Sequence, residues 1–205
     1  MLKKILKSYG ENNLIKDSLV LFSATMVLNV AGYFFHFYMG RVLGPKDYGI
    51  LGAILSLSYL FIVLLNVIQT SITKFVADFK AKNKKEEISF LFSSSLKKLS
   101  IYGVILFIIF IVLTPIIAKF LHISVIPLLV LSPMVIFVLI LPINRGILQG
   151  MQDFKNLGFN LILEGIIKLF GGILLVAIGL KVNGAVSAIV LAIMLAFFFA
   201  YYPIK

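Results

Sequence analysis

The sequence predicts an all-α integral membrane protein, built as a bundle of six transmembrane helices. Of its 205 residues, 61% are hydrophobic and only 13% are charged, and the mean hydropathy is +1.10. A soluble domain carries about 25% charged residues and leaves roughly a third of its unfolded-chain surface in water. So much apolar surface is stable only in lipid, and the apolar residues fall in runs long enough to cross a bilayer.

Six runs approach the roughly 20 apolar residues that a helix needs to span the hydrocarbon core. None of them alternates apolar with polar residues, which argues against membrane β-strands. The first run follows several lysines, as a signal peptide would, but it is too long for one and has no small-residue cleavage site, so we expect a retained helix. The predicted spans are Ser18–Met39, Tyr48–Ile68, Leu99–Ala118, Val125–Ile143, Leu157–Leu180 and Gly184–Tyr202.

The loop charges predict the orientation. Fourteen of the 19 basic residues fall in the N-terminal tail, the loop 69–98, the fourth loop and the C-terminus, whereas four fall in the intervening loops. Because cytoplasmic loops are enriched in Lys and Arg, both termini are predicted to be cytoplasmic, in a multi-pass protein of the cell membrane. Loop 69–98 should contain an amphipathic helix, either an interfacial helix or an extension of the third span. The same distribution explains the net charge of +11 without a nucleic-acid partner.

Catalytic and metal-binding patterns are missing from the sequence. There is no cysteine, and His36 and His122 lie far apart, so a His/Cys metal site is not expected. No Ser/His/Asp order, phosphate-binding loop or HExxH motif occurs. We therefore predict a non-enzyme that needs no cofactor.

Glu164 and Lys168 are the informative charges, because they lie four residues apart on one face of the predicted fifth span. Ionisable groups inside a span are costly and tend to face the bundle interior or water. Three interpretations stay open: a polar cavity that meets a charged substrate or ion, a self-neutralising structural pair, or a span that starts later and leaves Glu164 near the interface.

The segment GRVLGPKDYGILGAI, which follows the first span, has the glycines and the Gly-Pro step of a tight turn. Arg41 stands at the end of the first helix and could hold a phosphate through two hydrogen bonds. On its own the segment predicts a short hairpin on the outer side of the membrane. Its motif positions are Gly40, Arg41, Gly44, Pro45, Tyr48 and Gly49.

This segment, together with NRGILQGMQDF after the fourth span, resembles polysaccharide-export flippases of the Wzx type, in the multidrug/oligosaccharidyl-lipid/polysaccharide (MOP) exporter superfamily. The second motif places Arg145, Gln149 and Gly150 in an Arg-x-x-Leu-Gln-Gly loop. The resemblance covers the whole chain and implies transport of a lipid-linked oligosaccharide, or a related precursor of cell-surface polysaccharide. Sheltering its diphosphate requires a cationic cavity, for which Arg41, Lys168 and Arg145 are candidate contacts and Glu164 is a further candidate site residue. The alternative role for Arg145 is to anchor the fourth helix on the cytoplasmic side.

Family members have two such lobes, so the chain looks like the N-terminal lobe only. Alternating access needs two halves that rock around a shared site, so one lobe alone should not transport. We expect a truncated or half transporter that pairs with a second lobe or with itself. Two alternatives stay open, namely a non-transporting interaction subunit and a MATE-like cation-coupled drug exporter.

Overall fold

A computed structural model describes the backbone of residues 2–202 and the side chains of residues 15–202 apart from 62 and 64. The side chains of the N-terminal lysines Lys3, Lys4 and Lys7, and Lys205, lie outside that description. Within the described part every regular element is helical, which confirms the predicted all-α class. The elements are α1 (Leu2–Ala81), α2 (Lys85–Leu121), α3 (Val125–Leu131), α4 (Met134–Gly150), α5 (Phe154–Leu175), a π-helical turn (Val176–Leu180) and α6 (Lys181–Tyr201).

Among the described residues, four continuous helical stretches are long and apolar enough to cross a membrane, and they confirm a multi-pass membrane protein. They are Ile15–Ala81, Lys85–Leu121, Val125–Gly150 and Phe154–Tyr201. The predicted number of separate spans was six. The difference arises because helical geometry runs almost unbroken through two of the predicted turns, in α1 and between α5 and α6.

Helix α1 is interrupted at Gly44, whose φ of 72° and ψ of 173° are not helical. This backbone region is essentially restricted to glycine. We call residues 2–43 the first arm and residues 45–81 the second arm. His36 Nδ1 lies 3.2 Å from the Tyr48 hydroxyl across this break, whereas a straight helix would separate the two residues by about 18 Å. The arms therefore fold back on each other.

Glycine contacts fix the direction of each arm. An added Cβ at Gly158 of α5 would lie 3.3 Å from Ala24, and one at Gly172 would lie 2.8 Å from Met39, so the first arm runs parallel to α5. Gly146 and Gly150 of α4 make the corresponding contacts with the second arm. Because α4 and α5 are antiparallel neighbours, the two arms are antiparallel as well.

A second reversal joins α5 to α6. Gly179 has a φ of 94° inside the π-helical turn, and Lys181 follows it with a φ of 46°. Beyond the turn, an added Cβ at Gly184 would lie 2.8 Å from the Leu175 carbonyl, so α6 returns alongside α5. Small residues at this contact let the two backbones approach closely.

The segment 69–98 is helical in the structure except at the turn 82–84, because α1 continues to Ala81 and α2 begins at Lys85. Its location in the cytoplasm stays a prediction.

The prolines differ in where they lie relative to the helices. Pro133 separates α3 from α4, whereas Pro115 and Pro142 lie inside α2 and α4. The core is formed where α4 and α6 pack against the two arms, and α4 is buried along almost its whole length.

Candidate transport site

A buried ion pair joins the C-terminal half of α4 to α5. Arg145 is 8% exposed, and its guanidinium donates through one terminal nitrogen to the Glu164 carboxylate. Arg145 Nε donates to Asn160 Oδ1 at 2.8 Å. Asn160 and Glu164 lie one helical turn apart on α5, so the planar guanidinium contacts both at once. In the sequence, Arg145 belongs to the second motif and Glu164 stands beside Lys168 in the fifth span, and the structure brings Arg145 and Glu164 together.

Asn160 extends this cluster to α6 and was missed in the sequence analysis. It is 1% exposed, and its Nδ2 donates to the Ala196 carbonyl at 2.6 Å. The neighbouring Phe197 carbonyl accepts from Asn144 Nδ2 at 3.1 Å. Two side-chain amides, one each from α4 and α5, therefore hold consecutive carbonyls of α6. The signal for Asn160 was its spacing, because it precedes Glu164 by four residues, as Glu164 precedes Lys168.

Lys168 does not form an ion pair with Glu164, which was one of the three interpretations left open, because Glu164 pairs with Arg145. The Lys168 ammonium lies 5.0 Å from the centre of the Phe35 ring on the first arm, which is cation–π range. The side chain is half-buried. Lys168 is thus a cation inside the helical bundle that contacts the face of the Phe35 ring. The nearby Glu164 carboxylate is already paired with Arg145.

The second motif forms a close contact between α4 and the second arm. Gln149 Oε1 accepts from Gln69 Nε2 at 2.9 Å, and Thr73 Oγ1 lies 3.4 Å from the same oxygen. An added Cβ at Gly146 would lie 2.9 Å from the Gln69 carbonyl, and one at Gly150 would lie 2.7 Å from Val76. These glycines let the two helices approach, and Gln149 then bonds across the contact.

The first motif lies at the turn between the arms. Arg41 is exposed, and its guanidinium carbon lies 4.6 Å from the centre of the Phe37 ring. A Cβ added at Gly40 would lie 3.9 Å from the Tyr48 ring. Arg41 and Lys168 are not brought into one cluster with Arg145. Pro45 and Gly49 are exposed and begin the second arm.

Each arm also carries exposed polar residues near its middle. Asn29 and Asn66 are both exposed. Thr25 lies one turn before Asn29, and Thr70 lies one turn after Asn66, and both are exposed. Both arms therefore present exposed polar side chains within otherwise apolar helices. No group of three or more His, Cys, Asp or Glu side chains suited to a metal occurs among the described residues.

Residues 14–205 match the family model described as polysaccharide biosynthesis protein. The chain belongs to the polysaccharide biosynthesis protein family. This confirms the resemblance found in the sequence motifs. No curated protein matches the sequence.

Solved transporter structures share the fold of this family member. A crystal structure of MATE in complex with MaD3S matches with a TM-score of 0.83 and 17% identity over 94% of this chain and 45% of that one. A MOP superfamily transporter from Pyrococcus furiosus, described as having a binding pocket of reverse polarity, also matches with 0.83 and 17% over 94% and 44%. An outward-facing multidrug resistance MATE transporter matches with 0.82 and 17% over 93% and 44%. The chain therefore spans a little under half the length of these transporters and has the fold of one lobe.

Proposed function

We propose that this chain is one lobe of a transporter that moves a lipid-linked oligosaccharide, or a related precursor of cell-surface polysaccharide, across the cell membrane. The observation that carries the proposal is a polysaccharide biosynthesis family chain with the fold of a MOP transporter lobe over 94% of its length. The family supports the substrate class, and the fold supports transport by alternating access between two lobes.

Six crossings of the membrane fit this function best. The breaks at Gly44 and Gly179 divide the two longest helical stretches, and the contacts on either side run antiparallel. An even number of crossings returns the C-terminus to the side of the N-terminus. The bias of basic residues supports a cytoplasmic location for that side and an outer location for Arg41.

The exposed polar faces of the two arms favour a second lobe. Asn29 and Asn66 would otherwise meet lipid, where an unsatisfied amide is costly. A partner lobe that covers the arms would convert these faces into the walls of a hydrated cleft. A second copy of the chain is the simplest partner, and a separate lobe of the same fold is the other.

Of the four charged candidate residues, we assign two to holding the helices together and two to contacting the substrate. Arg145 and Glu164 satisfy each other inside the bundle, so we assign them to holding α4 and α5 together. Arg41 is exposed at the turn, and Lys168 is half-buried beside an aromatic ring, so these two are the cations that could contact a diphosphate. Glu164 remains near enough to bias Lys168 electrostatically.

Transport is tested by reconstituting the chain, alone and with a candidate second lobe, in vesicles that contain a fluorescent polyprenyl-diphosphate saccharide. A membrane-impermeant quencher measures how much of the label reaches the other leaflet. We expect translocation with a partner lobe, a loss of at least tenfold on Lys168→Met or Arg41→Gln, and normal rates for the surface control Lys97→Gln. Normal rates in both test variants would remove these residues from the site.

The other two functions are outcomes of the same experiment. Efflux of a cationic dye, with no movement of the saccharide lipid, would identify a drug exporter. Absence of any transport, together with a stable complex with another membrane protein, would identify an interaction subunit. Either result would reject the flippase proposal.

A further inference from the structure

A groove between the first arm and α5 is the strongest unassigned feature of the molecule. It has a volume of about 650 Å³, and its walls include Ile15, Leu19 and Val27 from the first arm and Phe159 and Ile162 from α5. Its floor is made of small residues, because Gly158 packs against Ala24 there. The lining is apolar over most of its area, as a surface within hydrocarbon should be.

Two lysines line the same groove, one from each helix. Lys16 and Lys155 are both exposed. Because the first arm and α5 run parallel, and Gly158 packs against Val20 and Ala24, Lys16 and Lys155 both lie at the low-numbered end of the groove. The nearby carboxylate of Asp153 accepts from the Asn156 amide nitrogens at 3.3 and 2.7 Å, so it is engaged within its own turn.

We propose that this groove binds one anionic glycerophospholipid of the bilayer, with its phosphate between Lys16 and Lys155 and an acyl chain along the apolar walls. The inference goes beyond transport and requires only that the chain spans a membrane. The groove fits such a lipid because residues 15–27 cover about 18 Å of helix, comparable to the roughly 15 Å of one hydrocarbon leaflet. Basic pockets between membrane helices are suited to anionic head groups.

The charges decide between kinds of lipid. An apolar groove alone would accept the acyl chain of any bilayer lipid, whereas two lysines at its mouth favour a head group with net negative charge. Their stems can pack on the apolar walls while the ammonium groups reach the phosphate. Each lysine near the surface is expected to raise affinity for the anionic lipid about fivefold, and the two together about thirtyfold.

Binding is tested with the full chain in nanodiscs that contain equal amounts of phosphatidylglycerol and phosphatidylcholine. After extraction in mild detergent, native mass spectrometry counts the lipids that stay bound. We expect the wild type to retain one phosphatidylglycerol in preference to phosphatidylcholine, with the preference falling as sodium chloride is raised. Equal retention of the two lipids, or retention of none, would overturn the proposal.

Three variants locate the site. Lys16→Gln with Lys155→Gln should lower phosphatidylglycerol retention about thirtyfold, and the two Lys→Arg replacements should preserve it. Ser23→Phe keeps both charges but fills the groove, since Ser23 is exposed within its lining, and it should displace the lipid as well.

The matched control is Lys97→Gln with Lys98→Gln, which removes the same charge from exposed positions on α2. This control should retain the lipid. An equal loss in the control, or unchanged retention in Ser23→Phe, would show that net charge and not the groove holds the lipid. Crosslinking of a second copy through Ser23→Cys in lipid would show a protein occupant and would also overturn the proposal. Translocation of the saccharide lipid is measured separately, so failure here does not depend on the proposed function.

Discussion

The ion pair between Arg145 and Glu164 provides a quantitative test of how this lobe is held together. Glu164→Leu removes the carboxylate and leaves the guanidinium of Arg145, which is 8% exposed, without its counter-ion. Breaking a buried pair by removing one partner costs about 3–5 kcal/mol. Because Asn160 still accepts from Nε, we expect a loss near the lower end, about 3 kcal/mol in the free energy of unfolding.

The reciprocal and double variants separate the pair from its surroundings. Arg145→Met should cost less than Glu164→Leu, because the Glu164 side chain is 19% exposed and that of Arg145 only 10%, so the charge left unpaired is less deeply buried. The double variant removes both charges and their desolvation penalty together. It should therefore be more stable than the sum of the single losses predicts, by at least about 1.5 kcal/mol.

The absence of cysteine from the sequence makes the assay direct. Ser58 is 5% exposed, and Ser58→Cys is nearly isosteric, so maleimide labelling of that thiol in detergent measures how often the bundle opens. A loss of 3 kcal/mol raises the labelling rate about 150-fold. The control is Asp78→Asn, which breaks an exposed pair with Lys82 and should change the rate by less than about threefold.

Two results would refute this reasoning. If Glu164→Leu labels at the rate of the exposed-pair control, the buried pair does not stabilise the contact between α4 and α5. If the double variant is as unstable as the sum of the single variants, Arg145 and Glu164 act independently, and the short contact between them has no energetic meaning.

Glycine substitutions and one amide provide the remaining predictions, measured with the same thiol assay. Gly150→Ala should destabilise the protein by about 1–3 kcal/mol through overpacking against the second arm, whereas Gly52→Ala, which meets nothing within 4 Å, should be neutral or stabilising. Gly44→Ala should cost about 1–3 kcal/mol because of its backbone conformation, and Gly49→Ala, a helical position in open space, should not. Gln149→Leu should cost about 0.6–1.7 kcal/mol through lost hydrogen bonds to the second arm.

The all-helical class was predictable because composition and run length are local properties of the sequence. The turn at Gly44 was predictable for the same reason, since a Gly-Pro step in the sequence predicts a turn. The predicted boundary between the fifth and sixth spans, after Leu180, coincides with the reversal at Gly179 and Lys181. Hydropathy does not predict that the chain reverses there through a π-helical turn with almost no break in the helical geometry.

The partners inside the candidate site could not be read from spacing alone. Along α5, Glu164 has Lys168 one turn ahead, and an exposed pair at that spacing contributes only about 0.3–0.5 kcal/mol. Arg145 lies 19 residues earlier but reaches two acceptors on α5 with one planar group. In a buried site, a carboxylate pairs with the cation that satisfies more hydrogen bonds, because each buried polar atom without a hydrogen-bond partner costs free energy. That choice leaves Lys168 with an aromatic ring in place of a carboxylate, and it is why we propose Lys168, rather than Arg145, as the interior cation that contacts an anionic substrate.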